Sequence, residues 1–235
     1  MKLMAKGVSR TFFRNGKNTN FFYAVRNTDF ILEEGRVTEI IGRSGSGKTT
    51  FSNMLAGLLR PSEGKIFIDG TDLYALDDRE RSIFRNQYIG VIPQGQTGLQ
   101  SLTVLENVLV PASMYGDPSA KKQRATELLD LLGIVDLCDV YSNELSGGEL
   151  RRMSIARALV NDPKILIADE PTGDLDDENT HTVLRLLRKI ADNGTSVLLV
   201  THENEAISFA DKIYVMNNGI LTMEGADAVD TSLLT

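Results

Sequence analysis

"RVTEIIGRSGSGKT" (Arg36–Thr49) decides the fold. Its first half is a short β-branched run that ends in glycine, and Gly42–Thr49 matches G-x-x-x-x-G-K-[ST]. That pattern binds phosphate when it follows a strand and opens a helix. Both are predicted here, with the helix running from about Lys48 to near Gly57. Backbone N–H groups from Ser44 to Lys48 can then wrap a β-phosphate. Lys48 would bridge β- and γ-oxygens, and the Thr49 hydroxyl would ligate Mg²⁺. The candidate nucleotide-binding set is Gly42, Arg43, Ser44, Gly45, Ser46, Gly47, Lys48, Thr49 and Thr50.

Outward from this loop the pattern is α/β. The first 35 residues read as strands, "KIFIDG" (Lys65–Gly70) as strand and turn, Asp77–Arg85 as a polar helix, and "YIGVI" (Tyr88–Ile92) as a strand. Thr103–Gly133 carries two helical patterns without a strand, the second packed by Leu128, Leu129, Leu131 and Leu132. Strands return at "KILIAD" (Lys164–Asp169) and "SVLLVT" (Ser196–Thr201), with a helix over Glu178–Ala191 between them. "KIYVM", "NNG" and "ILTME" (Lys212–Glu224) read as a hairpin with an Asn-Gly turn. The organisation is one domain, with a core of residues 1–94 and 161–235 and a helical insertion of about 95–160.

Composition excludes several classes. At 235 residues, 42% hydrophobic and net charge −7, the chain can build a core and lacks the basic footprint of a nucleic-acid binder. Lys121–Arg124 reads as solvated helix surface. No apolar run reaches the length of a membrane span, and "MKLMAKGVSR" lacks the apolar centre of a signal peptide. One cysteine, Cys138, and two histidines leave neither a disulfide framework nor a structural zinc site.

The apolar strand "ILIADE" (Ile165–Glu170) ends in two acids. Asp169 would hold Mg²⁺, and Glu170, one residue beyond, can reach an attacking water. A second glycine pair lies in "NELSGGELRRMSIARAL" (Asn143–Leu159). Ser146 and Glu149 have capping-box spacing, yet Gly147 and Gly148 between them each cost about 1 kcal/mol in a helix. Glycine at a helix start has a purpose when an anion must approach the backbone N–H groups. The chain thus carries two anion loops.

Together the two loops resemble those of ABC-type ATPases. "LSGGE" (Leu145–Glu149) is similar to the signature motif of that family, and the resemblance runs from about Lys2 to Glu224. It includes Gln94 after "YIGVI", "TGDLD" (Thr172–Asp176) and "VTH" ending at His202. It implies an α/β fold: a P-loop NTPase core, an N-terminal antiparallel β subdomain and an inserted α-helical subdomain that carries the signature. It also implies a head-to-tail dimer on ATP, in which Ser146, Gly147, Gly148 and Glu149 of one copy cap the nucleotide held by the other. Lys48, Glu170, His202 and Gln94 are the implied catalytic residues; Thr49, Gln94 and Asp169 the Mg²⁺ ligands; Asp176 a residue of the dimer seam. Gln94 also joins the core to the helical insertion. Phe12 aligns with the aromatic that stacks on adenine, with Tyr23 and Phe13 as rivals. His181 matches no motif and reads as helix surface.

"TGDLD" and "SLTVLENV" (Ser101–Val108) resemble the branch of lipoprotein-release, macrolide-export and cell-division ATPases that pair with FtsX-like permeases. That branch implies a second copy and an integral-membrane permease as partners, a cytoplasmic place on the inner face of the membrane, and no nucleic acid. Pro93, the glycine-rich Gly95–Gln100 and Arg43, in place of a common proline, depart from the usual pattern. The alternatives are a soluble ABC ATPase of translation or DNA repair, and a P-loop kinase or GTPase. The first would carry two such domains or long coiled coils. The second has no need of "LSGGE", and Asn-Lys-x-Asp for guanine is absent.

Overall fold

The computed structural model describes residues 1–13, 21–95, 98–173, 175–201 and 204–224. Strands β1 (Leu3–Phe13), β2 (Phe21–Leu32), β4 (Glu63–Ile68) and β5 (Thr71–Asp72) form an antiparallel sheet in the order β2-β1-β4-β5. The second sheet has the order β10-β9-β3-β8-β7-β6. It is built from β3 (Val37–Ile41), β6 (Ile89–Ile92), β7 (Ile165–Asp169), β8 (Ser196–Val200), β9 (Lys212–Asn217) and β10 (Ile220–Glu224). Its strands are parallel except for β10, which returns antiparallel on β9 through Asn218 and Gly219, both at positive φ. Two such residues in succession are what a two-residue hairpin turn requires, and Asn-Gly supplies them at least cost.

β3, β7 and β8 are buried along their whole length. That is why they read as unbroken apolar runs and not as alternating ones: both sheet faces are covered. Helix α1 (Lys48–Leu55) lies between the two sheets. Its Phe51, Met54 and Leu55 share one core with Leu3, Ile66, Ile40, Ile167 and Leu198. On the opposite face α6 (Asp177–Asp192) presents Val183, Leu184 and Leu187 to Val37, Val197 and Leu199. Helix α2 (Asp78–Tyr88) leads into β6 and starts with a capping box of Asp77 and Glu80.

Between β6 and β7 the described chain is helical: α3 (Val104–Tyr115), α4 (Lys122–Leu131) and α5 (Gly147–Leu159). α3 and α4 both pack on α5, and their core runs on into that under α6. The observed architecture is thus the expected α/β core with an antiparallel β part and an inserted helical part. One packing expectation fails. Leu128, Leu129 and Leu132 are buried but Leu131 is exposed. The buried face of α4 is centred on Ala125, Leu128, Leu129 and Leu132, and helical rotation carries Leu131 away from it. Lys121 and Arg124 are not merely solvated: both pair with Asp162 at 2.8 Å, tying α4 to the turn after α5.

Candidate active site

The Gly42–Thr49 loop leaves β3 and opens α1, as its pattern demands. Two of its glycines are fixed by close approach. A Cβ on Gly42 (φ 153) would stand 2.3 Å from the Met216 carbonyl, and one on Gly47 (φ 113) 2.1 Å from that of Ala24. The loop is therefore seated between β9 and β2. The β9–β10 turn completes the cradle: Gly219 donates its N–H to Ser46 O, and Arg26 donates to Gly219 O.

A cavity of about 1130 Å³ opens over this loop. All nine residues Gly42–Thr50 line it, together with Gln94, Asp169 and Glu170 from the ends of β6 and β7. Lys48 Nζ donates to the Gly42 and Arg43 carbonyls, which turns its charge back over the loop. Burial pulls the Lys48 ammonium below its ordinary pKa, against the opposing pull of Glu170 and Asp169. Burial pushes the Asp169 carboxyl up, and a hydrogen bond from Thr49 opposes the shift only in part. Ser46 Oγ is buried with no hydrogen-bond partner among the described residues. A cradle of backbone N–H groups, a buried cation and an orphaned hydroxyl fit a polyphosphate. The converging oxygens of Thr49 and Asp169, with Gln94 on the same wall, fit a hard divalent cation such as Mg²⁺.

Glu170 is 8% exposed and sits at φ 51, a left-handed conformation costly for a residue with a Cβ. Its N–H donates to Val200 O at 2.7 Å, and its Oε2 accepts from Thr201 Oγ1 at 3.3 Å. The turn points this carboxylate into the cavity, where the γ-phosphate end of a bound polyphosphate would lie.

The second anion loop is elsewhere. Ser146, Gly147 and Gly148 line a separate cavity of about 500 Å³ with Arg152, Leu175, Asp176 and Asn179. The capping box forms: Ser146 Oγ accepts from Glu149 N at 3.4 Å, and Ser146 N donates to Glu149 Oε2 at 2.7 Å. The cap and the glycines therefore coexist, with Gly147 and Gly148 in the first turn of α5. The Ser146 hydrogen bonds hold Glu149 below the usual carboxylate range. Asp176 caps α6 by accepting from Asn179 N at 2.8 Å, which lowers its pKa also.

The sequence profile described as ABC transporter matches residues 25–173. The chain is 42% identical over 192 residues to the lipoprotein-releasing system ATP-binding protein LolD of Blochmanniella floridana, covering 81% of this chain and 82% of that one. It is 42% identical over 221 residues to the methionine import ATP-binding protein MetN of Rhizobium meliloti, covering 93% of this chain and 61% of that one. The dimeric post-hydrolysis structure of the ATP-binding cassette MJ0796, bound to ADP and Pi, superposes with TM-score 0.87 at 32% identity, covering 95% of this chain and 99% of that one.

The chain belongs to the ABC transporter family.

It is an ATP-binding domain of the ATP-hydrolysing type, with no helix among the described residues long and apolar enough to cross a membrane. In this ABC domain the first cavity gathers Phe12, the Gly42–Thr50 loop, Gln94, Asp169 and Glu170, and the second gathers the signature and Asp176. His202, Asp174, Gln96 and Thr97 lie outside the described residues. Phe12 stacks on Phe22 (ring centroids 5.8 Å) and carries the Arg10 guanidinium 4.7 Å from its own centroid. Of its rivals, Tyr23 lines the same cavity and Phe13 does not. Ala24, Arg26, Asn218 and Gly219 also line the cavity and were not among the expected residues. Asn218-Gly219 is legible as a turn, but only the pairing of β9 with β3 brings it to the phosphate loop. Arg151, buried on α5, was missed as well.

Proposed function

We propose that this ABC domain is the ATP-hydrolysing subunit of a membrane transporter or envelope complex, working as a head-to-tail dimer that drives an FtsX-like permease from the cytoplasmic face. One observation carries the dimer reading. The two anion loops of one chain open into different cavities, and neither cavity contains a residue of the other loop. Each is half of a site, and a second copy turned head to tail supplies the missing half. The dimeric state of the MJ0796 cassette supports the pairing of two copies.

In the proposed cycle the Gly42–Thr49 backbone and Lys48 hold the β- and γ-phosphates of ATP. Ser146 and the N–H groups of Gly147 and Gly148 of the second copy close over the γ-phosphate from α5, whose N-terminus favours an anion. Thr49, Asp169 and Gln94 would hold Mg²⁺, which would supply charge neutralisation at the phosphates when bound. Glu170 orients the attacking water and accepts its proton, and Lys48 stabilises the charge that develops on the phosphoryl oxygens. His202 contacts the γ-phosphate, and Asp176 lies at the seam. Phe12 or Tyr23 stacks on the adenine; Phe12 itself stacks on Phe22, and Tyr23 makes a T-shaped contact with Phe21.

Identity does not choose between releasing and importing relatives, since LolD and MetN both stand at 42%. The FtsX-like branch rests instead on "TGDLD" and "SLTVLENV". A docking surface for the permease fits the seam between α2 and α3, where Met114 and Tyr115 are exposed and Tyr115 Oη donates to Ser82 Oγ at 2.9 Å.

The reading is tested with purified protein and Mg-ATP. Glu170→Gln is expected to bind ATP as the wild type does, to lose at least 100-fold in hydrolysis, and to elute as a dimer with ATP. Lys48→Ala is expected to weaken ATP binding itself. Hydrolysis by Glu170→Gln within twofold of wild type would remove Glu170 from the catalytic role.

A further inference from the structure

Arg151 lies one turn inside α5 and is 2% exposed. Burying a guanidinium is costly unless its N–H groups are used. Here Nη1 donates to the Pro93 carbonyl at 2.8 Å. That carbonyl belongs to the residue immediately before Gln94, at the end of β6. The other terminal nitrogen faces a different segment: a Cβ built on Gly173 would lie 3.8 Å from Nη2. Gly173 closes the turn after Glu170, donating its N–H to Glu170 O at 3.3 Å. The Arg151 charge also acts on Asp169, favouring its ionised form.

The next residue points elsewhere. Arg152 lines the second cavity with Ser146 and Gly148. One turn of α5 therefore borders the signature on one side and reaches the hydrolytic segments on the other. A guanidinium suits such a place because its planar fork can serve two backbone segments at once.

We propose that Arg151 is a positioning residue that ties the signature helix to the chain's own hydrolytic segments. It holds Gln94 through the Pro93 carbonyl and the Glu170 turn through Gly173. When α5 moves on engaging the nucleotide of the second copy, Arg151 carries that movement to the chain's own water site. The tether makes no contact with phosphate, so it sets turnover and leaves nucleotide affinity to the Gly42–Thr49 loop. The inference rests on the ATP-hydrolysing reading for its functional part; its structural part stands without nucleotide.

The test compares wild type, Arg151→Met and Arg151→Lys. Amide hydrogen exchange is measured without nucleotide over residues 89–95 and 166–173, and kcat and KM are measured with Mg-ATP. Arg151→Met is expected to raise exchange at least fivefold in both segments and to lower kcat at least tenfold with KM within threefold. Arg151→Lys keeps the charge and one donor, so it is expected to recover kcat to within threefold of wild type. Its single ammonium cannot bond Pro93 and lie along Gly173 together, so exchange must rise in at least one segment. That comparison carries the test alone if Arg151→Met does not fold. Unchanged exchange in both segments, or a fall in kcat that Lys does not relieve, overturns the proposal. Absence of hydrolysis in the wild-type chain would count against the ATPase reading and not against the tether, which the exchange data judge separately.

Discussion

Glu39 sits in the middle of β3, fully buried between Leu199 and Ile213, and neither of its oxygens has a hydrogen-bond partner among the described residues. Burial pushes its carboxyl up to about 8. A raised carboxyl binds its proton more tightly folded than unfolded. Stability from this residue is therefore complete below the unfolded value near 4.5 and declines as pH rises, levelling off above about 8. Over that interval the loss is on the order of 5 kcal/mol. Glu39→Gln removes the titration, so its stability relative to wild type should grow by several kcal/mol between pH 5.5 and pH 8.5 in urea unfolding. A difference between the two proteins that is the same at both pH values would show that Glu39 is not held neutral by burial. Nothing in the pattern of "RVTEIIG" marks this residue, because an acid within a β-branched run reads equally well as the solvent-facing position of a half-exposed strand. Only coverage of both faces of the sheet makes it costly. Gly47 teaches the same lesson. Its place in a phosphate loop is plain from the motif, but the contact that forbids a side chain comes from Ala24, in another sheet.

Among elements, those with a local signature were legible: α1 behind its loop, the polar helix α2, the capping box of α5, the β9–β10 hairpin, and the apolar strands β7 and β8. Strand order was not, because pairings such as β3 with β8 and β9 join residues far apart in the chain. The segment after Gln94 is the instructive case. Its glycines suggest a moving loop; Gly95 sits at φ 88, a conformation that favours glycine. From Gly98 onward the chain is pinned instead. A Cβ on Gly98 would meet Ser142 Oγ at 2.9 Å and Leu150 at 3.0 Å, so this glycine serves close packing on α5. Asn107, fully buried on α3, accepts from Leu99 N at 2.8 Å and donates to the carbonyls of Leu99, Leu102 and Thr103. Ser142 Oγ donates to Leu99 O as well. Leu99 is therefore fixed to the helical insertion by Asn107 and Ser142. Asn107→Ala takes this partner from the part-buried Leu99 N–H, while the Leu102 carbonyl keeps the Ser142 N–H, and should cost about 1–3 kcal/mol. Urea unfolding measures it, and a loss below about 0.5 kcal/mol would show that the loop is not held by this side chain.

At the scale of the whole molecule, the two glycine-bearing loops line different cavities, and the proposed function makes each loop half of a phosphate site. Both were legible as motifs, since each is a short run of consecutive residues. Their separation was implied by family resemblance and is now a matter of geometry: Ser146 shares its cavity with Asp176 and not with Lys48. In the proposed dimer the signature of one copy acts on the ATP held by the other. The most direct measurement counts occluded labelled ATP in heterodimers of defined composition. One pairs a Lys48→Ala chain with a Ser146→Glu chain, whose added carboxylate repels the γ-phosphate. The other pairs a wild-type chain with a chain carrying both substitutions. If the loops act across the dimer, the mixed single variants place both defects in one site and leave the other intact. They should therefore occlude about one ATP per dimer, and the wild-type/double-variant pair none. Occlusion by the wild-type/double-variant pair, with none in the mixed singles, would contradict the account.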